Sequence, residues 1–510
     1  MSDPRELELK LEVGPRGLAR LKSRGLKQLG EASARERLAS VYFDTADRRL
    51  REKGLSLRVR SVGGRHLQTV KGIADGPGIG LFERSEWESE VAGPRPDLAA
   101  AARTPVQEAL AEKGAGGLRP VFAAEVERTI WLVESEGSTI EVALDEGTIA
   151  AEGASRQVAE LELELKRGSA ADLFALARRL DEAGALRLGV LTKSEQGYRL
   201  AEGEAQGFHK AEAVKLKRGT PTAAAFAAIV RACLRHFRLN ESGVVEARLP
   251  EALHQARVAM RRLRSALSLF KELLGDPESD EIRKRLRTLS GHLGHARNLD
   301  VYLARTGTDA AEGRPADPAW IARLRAEREE AYDRIAKVLA SKRFRRLMLD
   351  LLAWVEDGAW RRPADPDARA RLKRPIEVSA AAILDKRRRR VRRRGRDLAE
   401  LDPEMRHEVR IEAKKLRYAA EFFSGLVEHK AGRKGLKRFL SALEELQEAL
   451  GDLNDLETAR TLHADAEARA EEGGAPSPDD EAGREAELLE RAVAAHRAFS
   501  DAKPFWRDFA

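Results

Sequence analysis

A single cysteine, Cys233, stands in a chain of 510 residues. No internal disulfide can form, and a reducing compartment is expected. Cys233 falls within an apolar helical pattern, which reads as a buried structural thiol rather than a nucleophile. Aromatic residues make up only 5%, while charged residues reach 35%, which points to a helix-rich, highly soluble protein. No run approaches 18 consecutive apolar residues, so no membrane span is expected. The opening Met1-Ser2-Asp3-Pro4 lacks the apolar core of a signal peptide, and the cytoplasm is the expected location. Residues 1–200 hold no His/Cys cluster, which argues against zinc. The glycine-rich Gly76-Pro77-Gly78-Ile79-Gly80 lacks the preceding strand and the Lys-Ser/Thr ending of a phosphate-binding loop, and reads as a turn.

The length calls for two or three domains. The formal charge of +8 is unevenly spread. Residues 1–200 carry 31 Lys and Arg against 32 Asp and Glu, and the remainder carries 61 against 52. The basic excess of the second part implies an anionic partner there.

The opening stretch Glu6-Leu7-Glu8-Leu9-Lys10-Leu11-Glu12 alternates strictly, which is the period of a strand. Glu6, Glu8, Lys10 and Glu12 then share one face and the leucines the other. One such stretch alone would read as an edge strand with a solvated face. The pattern recurs, however, at Ser56–Arg60, Arg84–Glu90 and Glu160–Lys166. Further strands are expected at 41–45, 66–71, 121–133 and 138–145. Together these predict an α+β domain with eight antiparallel strands, closed as a barrel. Turned inward, its charged faces enclose acids and bases together, and buried charge must be paired or liganded. Such a channel suits water, a hard divalent cation and a polyanion, and chemistry at a phosphoryl group follows.

At this point the residues resemble a known family. Glu6-x-Glu8-x-Lys10 is similar to the signature of the CYTH family of triphosphate tunnel metalloenzymes. The resemblance continues through Tyr42-Phe43-Asp44-Thr45, Arg58, Arg60, Lys71, Glu86-x-Glu88, Arg128, Asp145, Glu160-x-Glu162-x-Glu164 and Lys193. It implies an eight-stranded antiparallel tunnel barrel over 1–203 that binds triphosphate with Mg²⁺ or Mn²⁺. Lys10, Arg58, Arg60, Lys71, Arg128 and Lys193 would bind substrate. Glu6, Glu8, Asp145, Glu160, Glu162 and Glu164 would hold metal, and Glu6, Glu8 and Lys10 would carry catalysis.

Residues 204–220 read as a linker, and the rest is helical in pattern. The chain repeats itself there. His254, Arg257, Arg261, Arg262 and Arg264 align at a constant offset with His407, Arg410, Lys414, Lys415 and Arg417. Leu293-Gly294 echoes Leu450-Gly451. An all-α domain over 221–505 is expected, built of two four-helix repeats at about 221–360 and 366–505. On a helix, His254, Arg257, Arg261 and Arg264 fall within about 80° of arc, opposite Leu263 and Leu267. Such a basic stripe, without interleaved acids and present twice, suits a polyanion. The run Lys386–Arg396 is a second basic surface. The layout resembles the CHAD domain, a helical domain found behind CYTH domains. That resemblance implies binding of inorganic polyphosphate by these ten residues, with an association to polyphosphate granules.

The combined expectation is a metal-dependent inorganic triphosphatase whose partners are triphosphate and long-chain polyphosphate. Rival expectations are a class IV-type adenylate cyclase or a thiamine-triphosphatase on the same tunnel. A non-catalytic polyphosphate or nucleic-acid scaffold is the third. Nucleic acid is the weaker partner, since aromatics are sparse near the stripes.

Overall fold

The structure, a computed structural model, describes residues 5–72, 78–111, 117–135, 137–203, 207–311, 318–467 and 478–509. Among the described residues nine strands form one antiparallel sheet: β1 (Arg5–Val13), β2 (Ala34–Asp44), β3 (Ser56–Val62), β4 (Arg65–Lys71), β5 (Leu81–Val91), β6 (Arg119–Ser135), β7 (Ser138–Ala151), β8 (Ala154–Arg167) and β9 (Leu186–Leu188). Their order is β5-β4-β3-β2-β6-β7-β8-β1-β9, and β1 also pairs with β5. One edge of β1 pairs with β8. Its other edge is shared, with Arg5–Leu9 on β5 and Leu11–Val13 on β9. The sheet therefore curls until eight of its strands meet end to end, as the alternation predicts. The ninth strand has three residues, too few to show a period.

The alternation of β1 has the expected physical outcome. Leu9 and Leu11 are fully buried on one face, with Leu161 and Leu163 of β8 beside them. The helix Ala170–Gly184 covers this layer, burying Leu173, Phe174, Ala177 and Leu180. Each leucine so buried contributes on the order of 1.5–3 kcal/mol. The opposite face is not solvated. Glu8 and Lys10 are each only 4% exposed, because the curled sheet turns that face upon itself.

Among the described residues beyond 221, the regular elements are all helices. The chain divides into two compact units. One comprises Met1–Ala211, Val230–Arg261 and Asp276–Ala359, and the other comprises Glu212–Ile229, Arg262–Gly275 and Trp360–Ala510. The division passes within the helices Thr222–Val245 and Pro250–Leu269. In the first unit the helix Thr222–Val245 buries Cys233. The second unit packs Phe226, Phe270, Phe423 and Trp360 in one ring cluster and Phe439, Phe499, Phe505 and Trp506 in another. The internal repeat shows one difference. The helices Pro277–His292 and Gly294–Ala311 are separated at Leu293, where the second copy runs unbroken through Lys430–Glu467. Among the described residues no helix is long and apolar enough to cross a membrane.

Candidate active site

Within the curled sheet lies a cavity of about 120 Å³. All eight strands of the ring contribute to its wall, six of them through residues two apart and β7 and β8 through one residue each. Glu8 and Lys10 come from β1, Ser40 and Tyr42 from β2, Arg58 and Arg60 from β3, and Thr69 and Lys71 from β4. Glu86 and Glu88 follow from β5, Arg128 from β6, Asp145 from β7 and Glu162 from β8. Thr192, Lys193 and Ser194 close the set at the start of the helix Lys193–Ala201.

The charges interlock at one side. Lys193 Nζ lies 2.7 Å from Glu160, 2.8 Å from Asp145 and 2.9 Å from Glu162. Lys10 Nζ donates to Glu162 at 2.7 Å and lies 3.9 Å from Glu8. Arg128 grips Asp145 with two donors, at 2.7 and 2.6 Å, and reaches Glu162 at 2.6 Å. Burial alone would raise the Glu162 carboxyl. Lys10, Lys193 and Arg128 override it and hold the group well below the usual carboxylate range. Burial likewise opposes the Lys193 ammonium, but Asp145, Glu160 and Glu162 hold it well above its ordinary value.

The other side is cationic. Lys71 meets Glu86 at 2.7 Å, and Arg58 lies 3.9 Å from the same carboxylate. Among the described residues no carboxylate approaches Arg60 within ion-pair distance; its Nε donates to Ser40 Oγ at 3.4 Å. Burial and the neighbouring Arg58 and Arg128 lower the Arg60 guanidinium to about 10. Tyr42 and Asp145 oppose this only in part, and an incoming anion would favour the charged guanidinium.

The structure thus brings Glu8, Lys10, Arg58, Arg60, Lys71, Arg128, Asp145, Glu162 and Lys193 to one cavity wall. Glu160 is buried behind it, bonded to Lys193 and to Gln196 at 2.7 Å each. Glu164 is not in the wall; Lys166 holds it at 2.7 Å. The Glu6 side chain lies outside the described residues, as do residues 73–77 of the glycine-rich turn. Among the described residues no three His, Cys, Asp or Glu side chains converge on a single metal position. The donor chemistry is nevertheless that of a hard cation, carboxylate oxygens without sulfur or imidazole. Ser40, Thr69 and Gln196 escaped the sequence reading, since neutral residues on an alternating strand or short helix carry no distinguishing signal.

In the helical region, His254, Arg257 and Arg261 of the first unit stand with Arg297. Gly294 passes under Arg257 so closely that a methyl group there would come 3.3 Å from its Nη1. The repeat preserves this in the second unit, where a methyl at Gly451 would lie 3.0 Å from Arg410 Nη2. There His407 Nδ1 is 2.9 Å from Asn454 Oδ1. Arg417 lies 3.5 Å from both Glu421 and Glu444. Arg264 is exposed, and Lys414 is half-buried. Arg262 and Lys415 point elsewhere. Arg262 is buried, paired with Glu421 and 4.9 Å over the Phe422 ring, and Lys415 meets Glu412 at 2.8 Å. Part of the basic run is internal too: Arg387 is buried against Glu412 at 3.0 Å.

A curled antiparallel sheet enclosing alternating charges, followed by duplicated helices, defines the class of this protein. Residues 4–198 match the model of the CYTH domain and residues 228–464 that of the CHAD domain. The chain carries an N-terminal CYTH domain and a C-terminal CHAD domain. Over 198 residues it is 29% identical to an inorganic triphosphatase of Haemophilus influenzae, covering 38% of this chain and 54% of that protein. The chain thus spans about half the length of that curated relative. Among solved structures, the CHAD domain from the plant Ricinus communis is 29% identical, covering 59% of this chain and 98% of that one, with a TM-score of 0.46. PptA from Streptomyces chartreusis is 21% identical, covering 56% and 99%, with a TM-score of 0.37.

Proposed function

We propose that the cavity binds inorganic triphosphate and hydrolyses a terminal anhydride, water adding to phosphorus as pyrophosphate leaves. The observation that carries this reading is Arg60, a half-buried cation set beside Arg58 and Arg128 and lining a small, polar cavity. The CYTH match and the similarity to an inorganic triphosphatase support it. A linear triphosphate needs no base pocket.

Arg58, Arg60, Lys71 and Arg128 would take the phosphate oxygens, and Lys10 and Lys193 the charge at the reacting end. Each cation now leaning on Asp145 or Glu162 would exchange that carboxylate for a phosphate oxygen. The released carboxylates, with Glu8, and with Glu6, Glu160 and Glu164 as further candidates, would hold Mg²⁺ or Mn²⁺. A bound divalent ion supplies neutralisation of phosphoryl charge. In the helical region we infer that the residues of the two basic stripes bind polyphosphate, the CHAD match being the support.

The test is phosphate release from tripolyphosphate, long polyphosphate, ATP and thiamine triphosphate, with and without Mg²⁺ or Mn²⁺. Metal-dependent turnover favouring tripolyphosphate is expected. Cyclic AMP formation from ATP exceeding phosphate release would overturn the reading in favour of a cyclase. No turnover of any of them would leave a binding scaffold.

A further inference from the structure

The residue that holds the Lys193 segment in place does not belong to the stretch matched by the CYTH model. Lys193 opens its helix, and the N-terminus of that helix is fixed by a reciprocal cap: Thr192 N donates to Glu195 Oε2 at 2.7 Å and Glu195 N to Thr192 Oγ1 at 3.1 Å. The other oxygen of Glu195 receives Arg235 Nη2 at 2.8 Å. Arg235 lies on the helix Thr222–Val245, inside the CHAD match. It is only 8% exposed, and its Nη1 donates to the carbonyls of Val190 and, at 3.0 Å, Gly78.

Val190 follows Gly189 and Gly78 precedes Gly80 by two residues, and Gly80 and Gly189 both bond to the Lys10 backbone. Gly80 N donates to Gly189 O at 2.7 Å, Lys10 N to Gly80 O at 2.7 Å, and Gly189 N to Lys10 O at 2.9 Å. A Cβ at Gly189 would come 2.9 Å from Lys10 Cγ, so only glycine lets this segment lie against the lysine stem. One turn further along the same helix, Arg238 donates to Leu188 O at 3.0 Å and to Glu12 at 2.9 Å. A buried guanidinium needs partners for its donors. Three of the five donors of Arg235 are spent on the backbone and cap around the two cavity lysines.

We propose that Arg235 is a positioning residue for the tunnel, holding the 188–195 segment so that Lys193 and Lys10 meet the cavity. The proposal rests on the triphosphatase reading for its kinetic part only. Triphosphate turnover in this chain then depends on the first helix of the helical region being seated.

The experiment compares full-length wild type with Arg235→Ala, Arg235→Lys and Arg178→Ala. Arg178 pairs with Asp350 at 2.9 Å, between the covering helix Ala170–Gly184 and the helix Lys342–Asp357, and among the described residues makes no hydrogen bond to the 188–195 segment. Amide hydrogen exchange is read over 188–196, alongside kcat and KM for tripolyphosphate. For Arg235→Ala, exchange should quicken over 188–196 and not over β6–β8, and kcat/KM should fall by about 10- to 100-fold, as misplaced reacting groups do. Added guanidinium ion should recover part of that loss, Arg235→Lys should recover less than Arg restores, and Arg178→Ala should stay within about twofold of wild type. Faster exchange throughout the barrel would make Arg235 merely structural and overturn the proposal. So would unchanged exchange at 188–196, or local exchange with unaltered turnover. If the wild type hydrolyses no triphosphate, the proposed function fails by itself, and the exchange comparison still decides whether Arg235 holds the segment.

Discussion

The Glu162 carboxylate accepts Lys193 at 2.9 Å and shares the same oxygen with Lys10 at 2.7 Å. With Arg128 on its other oxygen at 2.6 Å, this one carboxylate stands against three cations. It occupies the position an anionic ligand would contest. In the proposed function, bound triphosphate would exchange these internal pairs for contacts to phosphate.

Glu162→Gln should therefore destabilise the ligand-free protein, by about 3–5 kcal/mol if the loss resembles that of other buried ion-pair partners. Turnover should fall by orders of magnitude. Metal-free tripolyphosphate should raise the melting temperature of the variant more than that of the wild type, because it supplies the missing negative charge. Thermal scans with and without tripolyphosphate read this directly. An equal shift in both proteins would remove Glu162 from the exchange.

Arg60 makes the opposite prediction for stability. Its cation is disfavoured by burial, Arg58 and Arg128, so Arg60→Ala should leave the ligand-free protein as stable as before. The same change should lower kcat/KM for tripolyphosphate, since truncating one side of a desolvated charge contact loses about 2–5 kcal/mol. Arg60→Lys should fall between, keeping the charge but not the planar fork. Steady-state kinetics beside urea unfolding check both halves, and a loss of stability matching the loss of activity would contradict the assignment.

The pH dependence follows from signs. The folded Glu162 and Asp145 carboxyls lie below their ordinary values. Their stabilisation is fully present above the unfolded carboxylate pKa, about 4–4.5, and is lost as pH falls through the folded values. Lys10 and Lys193 lie above 10.5 when folded. Theirs is fully present below the unfolded lysine value and is lost as pH climbs through the folded one. The stability difference between wild type and Glu162→Gln should stay level from about pH 5 to 9 and shrink only in acid. Urea titrations extended into acid measure it; a difference that does not shrink as pH falls below about 4.5 would mean that Glu162 titrates normally.

Much of this cavity could be read from the sequence because strands have a period of two. Once Glu8 and Lys10 point inward, Arg58 with Arg60 and Arg128 with Val126 must share a face, and the closure of the strand ring turns these faces onto one cavity. Lys193 was another matter. It follows a three-residue strand and opens a helix, so only family resemblance marked it. Arg235 was illegible because its helix reads as a core helix, and a single arginine there looks like an edge. The stripe motif misled in one respect. Arg262 sits about 80° from His254 on the side away from Arg264, and the structure buries it on Phe422. Adjacent bases in sequence face different ways on a helix.

The first stripe carries a proton-linked prediction. Burial lowers His254, and Arg297, Arg261 and Arg257 lower it further, against a small opposing pull from Glu251. At neutral pH its imidazole is uncharged. A polyanion laid along Arg257 and Arg261 would cancel the positive field and return the His254 pKa toward or above its ordinary value near 6.5. Binding should then take up protons, and affinity for long polyphosphate should rise as pH falls from about 7.5 to 5.5. It should also weaken steeply with salt, as counterion release requires for charged chains. Calorimetry of the full chain in two buffers of different ionisation enthalpy counts the protons. His254→Gln should abolish the uptake while retaining most of the affinity, and Arg257→Ala with Arg261→Ala should remove both. Binding that neither takes up protons nor responds to the double variant would place polyphosphate away from this stripe.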